Sequence, residues 1–465
     1  MRRRSGLRRS GGLAALIALA ACSLEPPLPP GPLPVPPSWP TGDPYLLRNE
    51  APLPAVTYRD VFRDPRLQAL IVEALANNRD LRIAAANIAA ARAQVRITRA
   101  NQLPELDAAG RATKTGDANS YSLGLSIPSF EVDLFGRLRS LTRADQQRLF
   151  ATEAGARSIR LALVGDIAEA WLAYAADSSL LGIAADTAAS ADKSVRLTKA
   201  RLDGGIAPRT DLLQAQQVLE TARQDLAQQR ALRAQDVNLL QLLVGAPIAP
   251  ANLPASIEQA APTIAALPAG LDSRVLLRRP DVVQAEYQLY AANAEIGAAR
   301  AALFPTISLT GLLGFASTAL GSLLSGGAFA WSAGAGVNYA IFRGGAGRAG
   351  VALTEAQRNA ALAAYEKAIQ TAFSEVADAL AVRGTVDEQR RAAAANAAAA
   401  ADTLRLVTAR YQGGIDPYLT TLDAQRSLYS AQRNSVSIAL VEARNAVALY
   451  RALGADNLIA QGPFP

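Results

Sequence analysis

The chain has no histidine, one cysteine and a single methionine, the initiator. Without His there is no imidazole general base, no Cys/His dyad and no Cys/His zinc cluster. Asp/Glu metal sites and Ser/Lys nucleophiles remain open to it, and no motif points to them. We therefore expect no enzyme, no metal and no cofactor. Proline is missing from two long stretches, Phe135 to Pro208 and Phe342 to Pro417. Each permits one helix of about 65 residues, about 100 Å at 1.5 Å per residue. The whole chain has 465 residues, enough for two or three ordinary domains or one large repeated one.

The lone cysteine sits in "MRRRSGLRRSGGLAALIALAACSLEPPLPP". Five Arg precede an apolar stretch, Leu13 to Ala21, and small residues precede Cys22. A basic start, a short apolar run and small residues before a cut describe a secretory signal, expected over residues 1–21. About 9 apolar residues are too few for a spanning helix. Leu19-Ala20-Ala21-Cys22 resembles the bacterial lipobox, which makes Cys22 the lipidated first residue of the mature chain. The competing reading is a buried free cysteine beside a chance apolar run. In lipoproteins an Asp after the cysteine marks inner-membrane retention, so Ser23 is consistent with export to the outer membrane. Loss of the five Arg with the signal takes the formal charge from +7 to +2, so the basic balance is no argument for nucleic acid. Residues 22–41 are proline-rich and are expected to form an extended tether.

The body is doubled. "RLDGGIAPRTDLLQAQQVL" from Arg201 and "RYQGGIDPYLTTLDAQRSL" from Arg410 share Arg, Gly-Gly-Ile, Pro and later Leu, Ala and Gln at matching offsets. "DLRIAAANIAAARAQVRITRANQLPELDAAG" from Asp80 matches "DVVQAEYQLYAANAEIGAARAALFPTISLTG" from Asp281. Two tandem repeats follow, 65–245 and 273–453. Each runs helix, strand, strand, long helix, Gly-Gly turn, return helix. The shorter helices are expected over Pro65 to Gln102 and Thr210 to Val244. Two of them end to end match one long helix, so the Gly-Gly turns, at 202–210 and 411–417, should lie at the far tip of an antiparallel rod. Ile159, Leu163, Ala170, Tyr174, Leu181, Ala184, Ala188, Ala191 and Val195 recur at coiled-coil spacing, with alanine permitting close backbone approach. A soluble helical bundle would show the same spacing.

The strands, expected at about 104–116, 119–135, 304–316 and 330–342, bear on that choice. "YSLGLSI" sets Tyr121, Leu123, Leu125 and Ile127 opposite Ser122, Gly124 and Ser126. The parity flips after Pro128, which predicts a bulge there. "TISLTGLLGF" and "WSAGAGVNYAIF" alternate in the same way. Strands of about 10 residues with one apolar and one small-polar face are a membrane-barrel pattern; a half-exposed soluble sheet alternates similarly. Four strands cannot close, and an edge in lipid leaves backbone groups unpaired. A spanning barrel must therefore be shared between chains, with totals of 8, 12 or 16.

The "LAAC" segment, "FEVDLFGRLRS", "RRPDVVQAEYQLYAANAEIGAARAALFPTISLTG", "IFRGG" and the two Gly-Gly tips together resemble the TolC/OprM-type outer membrane channels, in the NodT-like lipoprotein branch. The resemblance implies an α+β membrane protein: a homotrimer with a 12-stranded β-barrel, four strands per chain, continued by a 12-helix periplasmic α-barrel of long coiled coils. It implies an equatorial belt built from 42–64, 246–272 and 454–465. It implies passive conduction from the cell, with a periplasmic adaptor protein on the tips and an inner-membrane pump, of resistance-nodulation-division type, supplying energy. No nucleic acid is expected. A type I protein secretion channel is the alternative, and a non-conducting coiled-coil lipoprotein scaffold a further one.

The family closes its channels with rings of acidic and other side chains on the inner helix of the second half. Asp416 and Asp423 match those positions, with Asp211 near the first tip. Asp416 also precedes Pro417, so a turn or helix-cap role competes with a ring role. Asp211 serves equally as a first-turn acid. Arg201 and Arg410 precede the turns, where a helix C-terminus favours a cation or an adaptor makes contact. Gly204, Gly205 and Pro208, with Gly413, Gly414 and Pro417, are expected to make the turns and to offer the docking surface. One motif misleads. Gly345-Ala-Gly347-Arg-Ala-Gly350 fits a dinucleotide loop, but it follows a barrel-like strand and opens a helix too long for a βαβ crossover.

Overall fold

The computed structural model describes residues 24–28, 36, 38–45, 57–267, 273–454 and 456. Cys22, the signal sequence, half of the tether and most of the C-terminal tail lie outside the described residues. The helices of eight or more residues are α1 (Pro65–Asn77), α2 (Arg79–Ala100), α3 (Arg137–Asp203), α4 (Arg209–Val244), α5 (Pro280–Ala301), α6 (Ala346–Gln412) and α7 (Tyr418–Leu453). The strands are β1 (Asp107–Thr115), β2 (Ala118–Glu131), β3 (Thr306–Ser317) and β4 (Phe329–Asn338). The duplication shows in the lengths: α2 and α5 have 22 residues, α3 and α6 have 67, α4 and α7 have 36. No described helix is long and apolar enough to cross a membrane.

The chain divides into two compact units. One comprises Met1–Leu33, Ala86–Gly155 and Val283–Ala368; the other Pro34–Ala85, Ala156–Val282 and Ile369–Pro465. The first holds the sheet, antiparallel throughout in the order β1-β2-β3-β4. Its register aligns the apolar residues across strands: Leu125 faces Leu313, which faces Trp331, and Leu123 faces Phe315, which faces Phe329. The neighbouring row is small, with Gly124 opposite Gly314 and Gly314 opposite Ala330. Trp331 is 70% exposed and Val337 71%, so one chain leaves its apolar sheet face bare. The ladder slips between Ile127 and Phe130, the bulge that Pro128 requires.

Gly124 and Gly314 let β2 and β3 approach closely. A Cβ on Gly314 would lie 2.4 Å from the Leu123 carbonyl oxygen, and one on Gly124 would lie 2.7 Å from that of Leu313. The step from β2 into α3 explains "FEVDLFGRLRS". Glu131 binds Arg137 through two nitrogens at 2.5 and 2.8 Å. The Asp133 carboxylate accepts from the Leu138 and Arg139 amides at 3.2 and 2.9 Å, satisfying donors at the helix start. The "GGAGRAG" glycines do similar work: Gly344 and Gly345 have φ of +57° and +86° between β4 and α6.

Residues 24–28 are held against this unit. Arg300 reaches the Leu24 carbonyl at 3.4 Å, and Asn293 donates to the Pro26 carbonyl at 2.9 Å. Glu25 pairs with Arg143, and a Cβ on Gly297 would sit 3.3 Å from the Glu25 nitrogen. This stretch of the expected tether is docked here.

In the second unit the single helix expected over Pro65 to Gln102 is two. Asn78 breaks it with ψ of 136°. Its side-chain oxygen accepts from the Asp80 and Leu81 amides at 2.8 and 3.2 Å, and its amide donates to the Leu243 carbonyl at 2.8 Å. Gly245, left-handed at φ +75°, closes α4 beside it, and a Cβ there would lie 2.8 Å from the Asn77 oxygen. The coiled-coil stripe also differs at its start. Ile159 is 41% exposed, while Leu163, Ala170, Ala184 and Ala191 are buried, with Ile167, Trp171 and Leu172 fully enclosed beside them. A straight helix drifts from a strict seven-residue repeat, so one stripe does not hold a single face for so long. Three chain segments meet in this unit. Phe62 bridges Ile264 and packs edge-on to Tyr450, and Asp456 accepts from the Tyr58 amide and the Tyr450 hydroxyl at 2.6 and 2.7 Å.

Asp177 on α3 and Asp236 on α4 share a hydrogen bond. Burial first, and then the Asp177 charge, push the Asp236 carboxyl up to about 7, against the opposing pull of Arg444.

Two outcomes follow. Gly314→Ala forces β2 and β3 apart and should cost about 1–3 kcal/mol of sheet stability; a lower midpoint for heat-induced gel-mobility change than in Gly321→Ala, where a Cβ meets open space, checks it. For Asp236 the raised folded-state pKa favours the protonated form, so its contribution is full below the unfolded value and is lost as pH rises through about 7. Asp236→Asn should therefore stabilise the protein more at pH 8 than at pH 5, the difference being about 1–2 kcal/mol after solvent screening. Equal shifts at both pH values would count against the pairing.

Candidate functional site

The two Gly-Gly turns lie together in the second unit and are built alike. After α3, the Ile206 amide donates to the Arg201 carbonyl and the Gly205 amide to the Leu202 carbonyl, both at 2.9 Å. After α6, Ile415 donates to Arg410 at 2.9 Å and Gly414 to Tyr411 at 3.0 Å. This crossed pair of bonds is the Schellman closure, and it needs one left-handed residue. That residue is the second glycine of each pair, Gly205 at φ +72° and Gly414 at φ +75°. Gly204 and Gly413 keep negative φ, so the expectation that both glycines supply the reversal is corrected. Pro208 and Pro417 occupy the cap position before α4 and α7, at φ −72° and −70°. They precede the first helical turn, where residues without a free N–H cost nothing.

The side chains make the two turns different. Arg410 grips Asp416 through Nε at 2.7 Å and Nη2 at 2.9 Å, a two-point clamp across the second turn. Those bonds hold the Asp416 carboxyl below its ordinary range and raise Arg410. Asp416 does not cap α7. At the first turn the corresponding position is Ala207, which offers no partner. Arg201 turns instead to the other hairpin. It lies 4.6 Å from the centre of the Tyr411 ring and donates to the Tyr411 carbonyl at 3.1 Å.

That reach joins the hairpins. Tyr411, Tyr418, Leu422 and Ala215 form a buried cluster, with Val195 and Val218 against it. The two rings are 5.4 Å apart, and Gln425 donates to the Ser194 hydroxyl at 3.3 Å. Burial pushes the Tyr411 hydroxyl up; Arg201 opposes this, and the negative charge of Asp211 adds to it. Asp211 thus acts on the tyrosine cluster, and no contact joins it to Asp416 or Asp423 among the described residues. Asp423 is exposed one turn into α7, with Arg426 at 3.8 Å, a long pair of little energetic weight.

Sequence reasoning passed over the tyrosine cluster and the apolar ends of the turns. Ile206 is 70% exposed and Ile415 66%, each in the same place in its turn. Their signal was the third residue of Gly-Gly-Ile, kept in both copies although exposed. Tyr411 and Tyr418 replace Leu202 and Arg209 of the first copy and gave no such sign.

Comparison with known proteins places this geometry. The family described as "Outer membrane efflux protein" matches residues 70–246 and 271–455. The "Toluene efflux pump outer membrane protein TtgC" of Pseudomonas putida is 41% identical over 450 residues, covering 94% of this chain and 93% of that protein. The "Outer membrane protein OprJ" of Pseudomonas aeruginosa is 38% identical, covering 95% of each. Among solved structures, CusC superposes with a TM-score of 0.83 at 36% identity, covering 93% of this chain and all of that one. The open state of the Neisseria gonorrhoeae MtrE outer membrane channel gives 0.82 at 34% identity, covering 93% and 98%. The chain belongs to the outer membrane efflux protein family. It is an outer membrane efflux channel of the TolC/OprM type, whose four strands contribute to a trimeric barrel continued by helices. The family is a transport family.

The Arg410–Asp416 clamp gives a direct test. Arg410→Ala and Asp416→Ala should speed hydrogen exchange at the Gly413–Ile415 amides by the same factor, about 5- to 10-fold, with the double variant no faster than either. Because the folded-state pKa of Asp416 is lowered, the clamp holds at neutral pH and is lost as pH falls through that value.

Proposed function

We propose that the paired tips are the docking surface for a periplasmic adaptor protein, and that a resistance-nodulation-division pump in the inner membrane drives cargo into the channel. The observation that carries this reading is the doubled turn with Ile206 and Ile415 exposed in equivalent places. Exposed isoleucines held on rigid, hydrogen-bonded turns form a small apolar surface of fixed spacing, suited to a partner.

The second turn is also where we place the aperture. In a trimer each Asp416 and each Asp423 repeats three times, and a ring of carboxylates attracts cations. The Arg410 clamp changes what that ring offers. It neutralises Asp416 within the same chain and fixes the shape of the tip, while Asp423 stays open to water. We assign Asp416 to holding the closed tip and Asp423 to cation attraction.

Cys22 carries a lipid in this reading. Its support is the lipobox-like run Leu19-Ala20-Ala21-Cys22, the chain's only cysteine, followed closely by residues held at Leu24 and Glu25. The protein secretion alternative draws no support from relatives whose printed names are those of efflux pumps.

Two measurements separate these roles. Asp416→Ala should raise single-channel conductance in planar bilayers, and Asp423→Asn should reduce cation preference at near-constant conductance. Ile206→Asp with Ile415→Asp should leave conductance unchanged and abolish efflux in cells that carry the native adaptor and pump. Normal efflux in that double variant would sink the docking role.

A further inference from the structure

Above the tips, in the second unit, a cavity of about 620 Å³ opens between the two hairpins of one chain. Residues of α3, α4, α6 and α7 all contribute to it. Its size is that of a drug-sized ligand, within the usual range of about 300–1,000 Å³. Nothing in channel conduction or in tip closure uses it.

The lining is apolar on one side and acidic on the other. Val218, Leu404, Leu428 and the ring of Tyr429 give the apolar wall. Asp186, Glu220 and Asp225 bring three carboxylates, against one guanidinium in the lining, that of Arg426. The partners of these groups matter. Glu220 is engaged by Arg223 at 2.8 Å, and Arg426 lies 3.8 Å from Asp423. Arg433 covers a face of the Tyr429 ring, 5.4 Å from its centre. Asp225 accepts from the Tyr429 hydroxyl at 2.9 Å, a neutral donor that leaves its charge in place. Asp186 has no ion-pair partner among the described residues. Gln425, also in the wall, keeps its amide oxygen shut from solvent without a hydrogen-bond donor, while its nitrogen binds Ser194.

We propose that this cavity binds an amphipathic organic cation, with its rings on the Val218–Leu404–Leu428 wall and its ammonium group at Asp186 and Asp225. An anion would meet three carboxylates against the single lining guanidinium of Arg426. A neutral apolar molecule of the same shape would strip water from them without return, which costs far more than its burial gains. An ammonium gives the carboxylates of Asp186 and Asp225 a partner. The proposal is independent of adaptor docking, which concerns the turns.

The probe is dansylcadaverine, a naphthalene ring with a primary ammonium, titrated against the purified full-length trimer in detergent. Saturable, blue-shifted fluorescence is expected. Dansylglycine, with the same ring and a carboxylate, should bind at least about tenfold more weakly. Asp186→Asn with Asp225→Asn should weaken the cation about tenfold and the anion hardly at all. Val218→Trp, which fills the cavity, should remove binding of the cation. Asp186→Asn alone, on an exposed helix face, guards against a variant that fails to assemble, and it should weaken binding in the same direction. Equal binding of the two dyes, or binding that survives both Val218→Trp and the double Asn change, would overturn the proposal, as would the absence of saturable binding. Conductance without dye is measured on the same preparations. Normal conductance with no dye binding sinks this inference and leaves the channel reading standing.

Discussion

A backbone amide in hydrocarbon has no water to bond, and β1 and β4 each leave one side of their ladder unpaired within the chain. That constraint organises the rest. The sheet can enter a membrane only if β1 of one copy pairs with β4 of another, so the functional unit is several chains before any other feature is considered. It accounts for the bare Trp331 and Val337, which would be a liability in a water-soluble sheet. It also accounts for the stiff passage from strand to helix. The Asp133 cap, the Glu131–Arg137 pair and the left-handed Gly344 and Gly345 fix how each helix leaves a strand whose position other chains determine.

Duplication supplies the second theme. Two copies of one plan let the chain make its long excursion twice, and helices of equal length let the turns end level in sequence terms. Divergence then assigned different work to equivalent arginines. With aspartate six residues on, Arg410 closes its own turn; with alanine there, Arg201 is released to hold its neighbour's Tyr411. One small change, Ala207 against Asp416, thus decides whether a tip is fastened to itself or to the other hairpin.

Much of this was legible because it follows from periodicity and from residues with few conformational options. The gaps in proline marked the 67-residue helices, the flip of parity at Pro128 marked the bulge, and the repeated glycines marked the turns. What escaped notice depends on contacts distant in sequence. The break at Asn78 looks like ordinary helix until the Leu243 carbonyl is beside it. The clamp between Arg410 and Asp416 spans six residues around a turn, and no helical spacing rule covers such a pair. Tyr411 and Tyr418 resemble core residues of any helix; their place between hairpins appears only when both copies are folded. Glycine pairs announced a turn, but only hydrogen-bond geometry says that one of each pair bears the strain.

The hold on Leu24 and Glu25 has a mechanical consequence. Two residues of extended chain span about 7 Å. A lipid on Cys22 would therefore be tied to the end of α5 by a very short leash, and its acyl chains could not wander in depth independently of the barrel. The anchor would work as a depth gauge. A bilayer thinner or thicker than the barrel's apolar band would pull on Arg300 and Asn293, in the second half of α5. Membrane thickness would then be registered at one of the four places where the chain passes between helix and barrel strand.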